Sequence, residues 1–165
     1  MPDLTLTQVA AIACHASEGA IDAVVAAVGA SACRVAPDEA LLLGRPGEAT
    51  KIVTAVSKKV TALDDNAVVL DATDGWTMWT LEGDDAREAF ARLSAVPLPD
   101  EGFTQGDVGH VPVKVLVREE RIHLVVPAMW GAFLRERILD VGLPARERPE
   151  PAAWSGPTAK RRGAK

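Results

Sequence analysis

An α+β fold of two tandem ferredoxin-like halves is expected for this chain, on three observations. First, an apolar strand, a short break and an amphipathic helix follow one another four times, with the strands at residues 9–15, 40–44, 77–83 and 122–126. The helices behind them open at Ser17, Gly47, Asp84 and Pro127. Second, two of these strands have another apolar run too close before them for an intervening helix, so each pair reads as a hairpin. Third, 48% of the 165 residues are hydrophobic, enough to fill a core. The resulting order is β-α-β-β-α-β followed by a related β-α-β-β-α unit. A single α+β domain is therefore expected over residues 1–144, in halves of about 1–70 and 71–144, with a basic Pro/Gly/Ala-rich tail over 145–165 that lacks the apolar surface to order itself.

Residues 9–15 read as a strand of small apolar side chains. Ser17 offers an oxygen to the orphan amides of a helix, and Glu18 suits the positive end of its dipole. Ile21, Val24, Val25 and Val28 form one apolar stripe, and Gly29 stops the helix by adopting the left-handed conformation. Residues 32–35, a turn at Pro37 and Asp38, and residues 40–43 make the first hairpin. After a break at 44–47, a second helix buries Ala49, Ile52, Val53, Val56 and Val60, turns Glu48, Lys51, Lys58 and Lys59 to water, and ends near Leu63.

Residues 67–71 are a short strand and, past Thr73, Asp74 and Gly75, residues 76–81 are another. The third helix opens on Asp84 and Asp85, with Asp85 and Glu88 spaced as a capping box. Its stripe is Ala86, Ala89, Phe90 and Leu93, and Pro97 and Pro99 prevent its continuation. Residues 100–110 read as a glycine-containing connection, and 111–117 with 122–126 as the second hairpin around a charged turn at 118–121. Pro127 is expected as the first residue of the last helix, where its missing N–H has no intrahelical partner to lose. Trp130, Phe133, Leu134, Ile138 and Val141 keep that helix in register until Gly142, Leu143 and Pro144.

The net charge of −5 hides an asymmetry: residues 1–144 carry 12 Lys and Arg against 21 Asp and Glu, and residues 145–165 carry 6 against 2. An acidic body repels phosphate backbones, because nucleic-acid affinity comes from Lys and Arg displacing condensed counterions, so no nucleic-acid partner is expected. Arg146, Arg148, Lys160, Arg161, Arg162 and Lys165 stand among Pro, Gly and Ala and read as a solvated end. No apolar run reaches the roughly 18 residues that span a bilayer, and no basic segment leads into a signal-length apolar run. Cys14 and Cys33 lie in apolar strands without C-x-x-C or zinc spacing, and read as buried, reduced thiols of a cytoplasmic protein. A disulfide between them would require their strands to be neighbours.

Acid–base chemistry near neutral pH usually draws on histidine. His15 ends a strand, His110 lies in a loop, and His123 alternates with Ile122 and Leu124, which gives its strand one polar side; none has the spacing of a metal pair. Asp71 and Asp74 flank a turn, where two carboxylates can share a proton or hold a cation, although building the turn is the simpler role. Ser17 beside His15 and Cys14 has the composition of a nucleophilic cluster, but neighbouring strand residues point to opposite faces and Ser17 is spent as a cap. The glycines lack dinucleotide or Walker spacing. No catalytic residue and no metal ligand is expected. Trp76, Trp79 and Trp130 remain as candidates for a partner interface, since flat apolar groups concentrate contact energy when exposed. Trp76 and Trp79, three apart on a strand, face opposite sides.

Several short motifs carry a resemblance. They are Pro37, Asp38 and Glu39 before Leu41, Leu42 and Leu43; Val68, Val69, Leu70 and Asp71 with Asp74 and Gly75; and Leu81, Glu82 and Gly83 with Ala86 and Leu93. Pro97, Leu98, Phe103 and Gly106, then Leu124, Val125 and Val126 running into Trp130 and Leu134, complete them. Over roughly residues 36–141 the chain resembles the gamma subunit of heterotetrameric sarcosine oxidase, a distant relative of the folate-binding, GcvT/YgfZ-like aminomethyltransferase group. The resemblance implies tandem ferredoxin-like halves and larger partner subunits of alpha, beta and delta type. Flavin, NAD and tetrahydrofolate would belong to those partners, and this chain would bind no cofactor and lend no catalytic residue.

The expectation from all this is a small noncatalytic gamma-type subunit that supports oxidative demethylation of sarcosine or a similar N-methyl amine. Two readings compete with it. One is a stand-alone tetrahydrofolate-binding or one-carbon transfer protein, in which Asp71, Asp74 and Trp76 line a pteridine pocket. The other is a ferredoxin-like scaffold or ligand-sensing domain, since this architecture serves many functions.

Overall fold

Alternating and clustered apolar residues sort the chain into two sheets, antiparallel except where two short C-terminal strands pair in parallel at one edge, each with two helices on its outer face. The computed structural model describes residues 1–28, 31–140 and 145–156. The chain opens with β1 (Asp3–Gln8) and continues as β2 (Ala10–His15), α1 (Glu18–Val28), β3 (Ala32–Ala36), β4 (Glu39–Gly44), α2 (Ala49–Val60) and β5 (Val68–Asp71). Strands β2 to β5 form a four-stranded sheet in the order β3-β4-β2-β5. With α1 and α2 as crossovers, this is the ferredoxin-like order read from the sequence.

The second sheet is built from β6 (Trp76–Glu82), α3 (Ala86–Leu93), β7 (Gly102–Val108), β8 (Val111–Arg118), β9 (Arg121–Pro127), α4 (Gly131–Asp140), β10 (Arg146–Glu147) and β11 (Ala152–Ala153). Its order is β10-β1-β6-β9-β8-β7, with β11 also pairing β1. The run β1-β6-β9-β8 repeats the ferredoxin-like order, with β1 in the place of the fourth strand and β7 added at the edge. Two such repeats thus make up the fold. They are interlocked, because β1 precedes the first repeat in sequence yet completes the second.

Three apolar clusters hold four layers together. Ile12, Cys14, Ile21, Val24, Leu42, Val56 and Val60 join α1 and α2 to the first sheet. Leu4, Trp79, Leu81, Phe90, Leu124, Leu134 and Ile138 join α3 and α4 to the second. Between the sheets lie Ala11, Cys33, Leu41, Leu43, Met78, Leu116, Val125 and Trp154. Strand alternation sends Cys14 to the helices and Cys33 to the opposite sheet, and β4 separates their strands, so no disulfide can form.

The structure corrects the sequence reading at five places. Residues 3–8, unassigned in the sequence reading, form β1, with Thr5 and Thr7 alternating against Leu4 and Leu6. Residues 102–108, read as connection, form β7, a half-exposed edge strand whose two glycines and polar side chains mask its pattern. Pro127 ends β9 with an extended ψ of 137°, a 3-10 turn (Ala128–Trp130) follows, and the α-helix begins only at Gly131. Residues 145–156 are ordered along the sheet edge. Arg146 and Arg148 donate from their backbone to Pro2 and Leu4 at 2.8 Å each, and both guanidiniums bind Asp3. These bonds, that from Arg146 foremost, hold the Asp3 carboxyl down at about 2. Asp85 makes no capping bond, and its carboxylate pairs instead with the Met1 ammonium at 2.6 Å. Gly29, Val141, Gly142, Leu143, Pro144 and the basic residues from Lys160 onward lie outside the described residues.

The charged turn at 118–121 is a two-residue hairpin with Glu119 and Glu120 at φ of 49° and 64°. Such turns favour Asn and Gly, since a side chain in the left-handed region costs about 1–2 kcal/mol. Glu120→Gly is expected to stabilise the protein by about 1 kcal/mol, net of the backbone freedom glycine adds to the unfolded chain. A lower urea midpoint in the variant would contradict it.

Candidate functional site

Where β1 passes into β2 and β5 into β6, the two sheets part and leave an open crevice of about 720 Å³. The turn after β5 forms one wall. Asp71 closes that turn by accepting the Thr73 amide at 3.0 Å, and Gly75 donates to Ala72 at 2.9 Å. The Thr73 hydroxyl accepts the Ala11 amide at 3.1 Å, which ties the turn to β2. Hydrogen bonds from the Thr73 side chain and backbone pull the Asp71 pKa below the ordinary carboxylate range. Asp71 therefore builds the turn, as the simpler reading had it.

Asp71, Asp74 and Trp76 all border this crevice, so the structure brings the three candidates together. Asp74 is exposed, and Trp76 is half-buried with the Lys114 ammonium 5.0 Å from its ring centroid. The rest of the lining includes residues that sequence reasoning did not select: Leu6 and Gln8 at the end of β1, and Gly47, Ala49 and Thr50 at the start of α2. Gly47 sits at φ 83°, a glycine signal that marks a backbone turned toward open space. Two carboxylates, an aromatic face and a helix start suit a flat, polar, hydrogen-bonding ligand. Among the described residues, no group of three or more His, Cys, Asp or Glu side chains could hold a metal ion.

The remaining candidates are occupied by structure. The Ser17 amide donates to Asp64 at 2.6 Å, and its backbone carbonyl takes the first helical bond from Ile21 at 3.0 Å. Burial raises the Cys14 thiol and pushes Cys33 up to about 12, so both are protonated thiols. His110 occupies the β7–β8 turn at φ 74°. His123 does lie on a polar side of its strand, but that side is buried, with Nδ1 2.9 Å from the Thr80 hydroxyl. Burial first, and then the Arg121 and Arg118 charges, lower its pKa to about 4.

The tryptophans separate as their alternation requires. Trp79 points into the α3–α4 core, and its indole donates to the Gly131 carbonyl at 2.9 Å. Trp76 lies on the opposite face toward the first sheet. Trp130 is 39% exposed beside Phe133 at 39% and Met129 at 80%, its ring set edge-on to Phe133 at 6.0 Å. Of the three, Trp130 has the outward aromatic surface.

No protein-family model and no curated protein sequence matches this chain. A chain of the heterotetrameric sarcosine oxidase from Corynebacterium sp. U-96 is similar with a TM-score of 0.72 and 16% sequence identity, over 84% of this chain and 82% of that one. The glycine cleavage system aminomethyltransferase T from Bartonella henselae is similar with a TM-score of 0.62 and 14% identity, over 84% of this chain and 45% of its own length. The chain thus shares its α+β fold of ferredoxin-like repeats with a sarcosine oxidase chain and an aminomethyltransferase, as the motifs of residues 36–141 anticipate.

Proposed function

We propose that this chain is a small noncatalytic, gamma-type subunit of a heterotetrameric sarcosine oxidase-like complex in the cytoplasm. In this reading it supports assembly of larger alpha-, beta- and delta-type subunits, which hold flavin, NAD and tetrahydrofolate and carry out the oxidative demethylation of sarcosine or a similar N-methyl amine. The observation that carries it is the fold shared with a sarcosine oxidase chain over more than four-fifths of both chains. The exposed Met129, Trp130 and Phe133 add a surface of the kind that anchors a partner. No helix among the described residues is long and apolar enough to cross a membrane.

Trp130→Asp tests the interface. A carboxylate placed in an apolar contact costs about 2–4 kcal/mol, so the variant is expected to bind the partner subunits at least about thirtyfold more weakly while its circular dichroism and melting stay unchanged. Assembly at wild-type affinity would sink the assignment of this surface.

A second reading is favoured by the crevice at Asp71, Asp74 and Trp76, whose size suits a small-molecule site. Here the chain itself binds tetrahydrofolate. Titration of the isolated chain with tetrahydrofolate separates the two: saturable quenching of tryptophan fluorescence, weakened in Trp76→Ala, would favour the folate reading over the subunit reading.

A further inference from the structure

A second cavity lies on the other flank of β1, under the segment that follows α4. Residues 146–153 run beside β1 as β10 and β11, and Trp154 donates its backbone amide to Gln8 at 2.8 Å. The ring then drops over the second sheet and closes a space of about 160 Å³. A cavity of that volume holds roughly six to eight non-hydrogen atoms.

The lining is unusual for the interior of a two-sheet sandwich. Farther along the same sheet face the side chains are Met78, Leu116 and Val125, all apolar. Here they are Thr5, Thr7, Thr80 and His123, each less than a tenth exposed. Strand register sets them side by side, since Thr5 pairs with Thr80 and Thr80 with His123. The hydroxyls of Thr7 and Thr80 are 2.7 Å apart, and Thr80 reaches His123 Nδ1 at 2.9 Å. Trp154 meets the imidazole edge-on at 4.8 Å. Its own indole N–H is buried and, among the described residues, has no hydrogen-bond partner. Burying such a donor unpaired costs about 1–3 kcal/mol, so it is retained against a price unless something accepts from it.

Charge selects the acceptor. Arg118 and Arg121 line the cavity, as do Glu82 and Glu119; Arg121 is paired with Glu82 at 2.9 Å and Arg118 with Glu101 at 3.7 Å. At the imidazole the charges felt are the two guanidiniums. The cavity thus combines hydroxyls, a buried indole N–H and two guanidiniums paired with solvent-accessible carboxylates that a better-placed acceptor can compete with, and a carboxylate is acceptor-only.

We propose that this cavity is a binding site for a small monocarboxylate of the size of acetate or pyruvate, with its carboxylate accepting from the Trp154 indole and a threonine hydroxyl beside the guanidiniums of Arg118 and Arg121. The site is separate from the crevice at Asp71 and Asp74 and stands independently of the subunit reading.

The test is titration of the full-length, nitrogen-15-labelled chain with sodium acetate and with pyruvate at pH 7 and constant ionic strength. The Trp154 indole and His123 ring resonances are followed, with the Trp130 indole as internal control. The expected result is a saturable shift of Trp154 and His123 that leaves Trp130 in place and is not produced by acetamide. Trp154→Phe keeps the ring and removes the donor, and is expected to weaken binding about tenfold or more. Arg121→Gln, at an exposed position that leaves the fold intact, is expected to weaken it several-fold. No saturable shift, an equal response to acetamide, or undiminished affinity in both variants would overturn the proposal.

Discussion

Replacing Trp154 with alanine is expected to destabilise the protein by about 3–5 kcal/mol, the range found when a large buried aromatic is truncated. Trp154 is almost fully buried and belongs to the same cluster as Met78, Leu116 and Val125, so its removal leaves a void that rigid strands cannot collapse to fill. It is also the large apolar anchor of residues 145–156, whose other ties include edge hydrogen bonds, the packing of Ala145, and ion pairs of Arg146 and Arg148 with Asp3 and of Glu147 with Arg135. Exposed pairs contribute little. Urea unfolding at pH 7 measures the cost, and a loss below about 1 kcal/mol would show that the segment lies on the sheet without sealing it.

The second large effect is on pH dependence. His123 titrates at about 4 in the folded protein against an ordinary 6.5. As pH falls below 6.5, the unfolded chain takes up the proton first, so stability is complete above that value and declines until about 4 is reached. The shift corresponds to about 3 kcal/mol. His123→Gln keeps a polar partner for Thr80 and does not titrate, so its stability should fall by about 3 kcal/mol less than the wild type's across this window. Parallel stability curves for the two proteins would show that another group carries the dependence. Trp154→Ala, by admitting water, should move the His123 titration back toward its ordinary value.

Most of the first repeat was legible because its signals are local. The α1 stripe at Ile21 and Val24, the turn at Pro37 and Asp38, and the break at Gly47 each need only neighbours in sequence. Strand β7 was not legible, since an edge strand with one face in water requires little hydrophobicity. Residues 145–156 misled for a related reason: their order comes from the free edge of β1 and from Asp3, more than 140 residues away in the chain. Strand β1 did carry a period-two signal in Leu4 and Leu6, but its place in the second sheet depends on pairing with β6.

The candidate sites divide in the same way. Asp71, Asp74 and Trp76 are close in sequence and could be grouped before the fold was known, whereas the facing residues of α2 could not. The cluster of Thr5, Thr7, Thr80 and His123 exists only through the register of three strands. Its one visible trace is polar residues at alternating positions in otherwise apolar strands.

The most direct test of the subunit reading is affinity isolation of the tagged chain from its native cells, with the recovered proteins identified by mass spectrometry and the eluate examined for flavin absorbance and sarcosine-dependent oxygen uptake. A stoichiometric, yellow, active complex with larger oxidase subunits is expected. A colourless chain recovered alone would refute the reading and leave folate binding at the Asp71 crevice as the function to pursue.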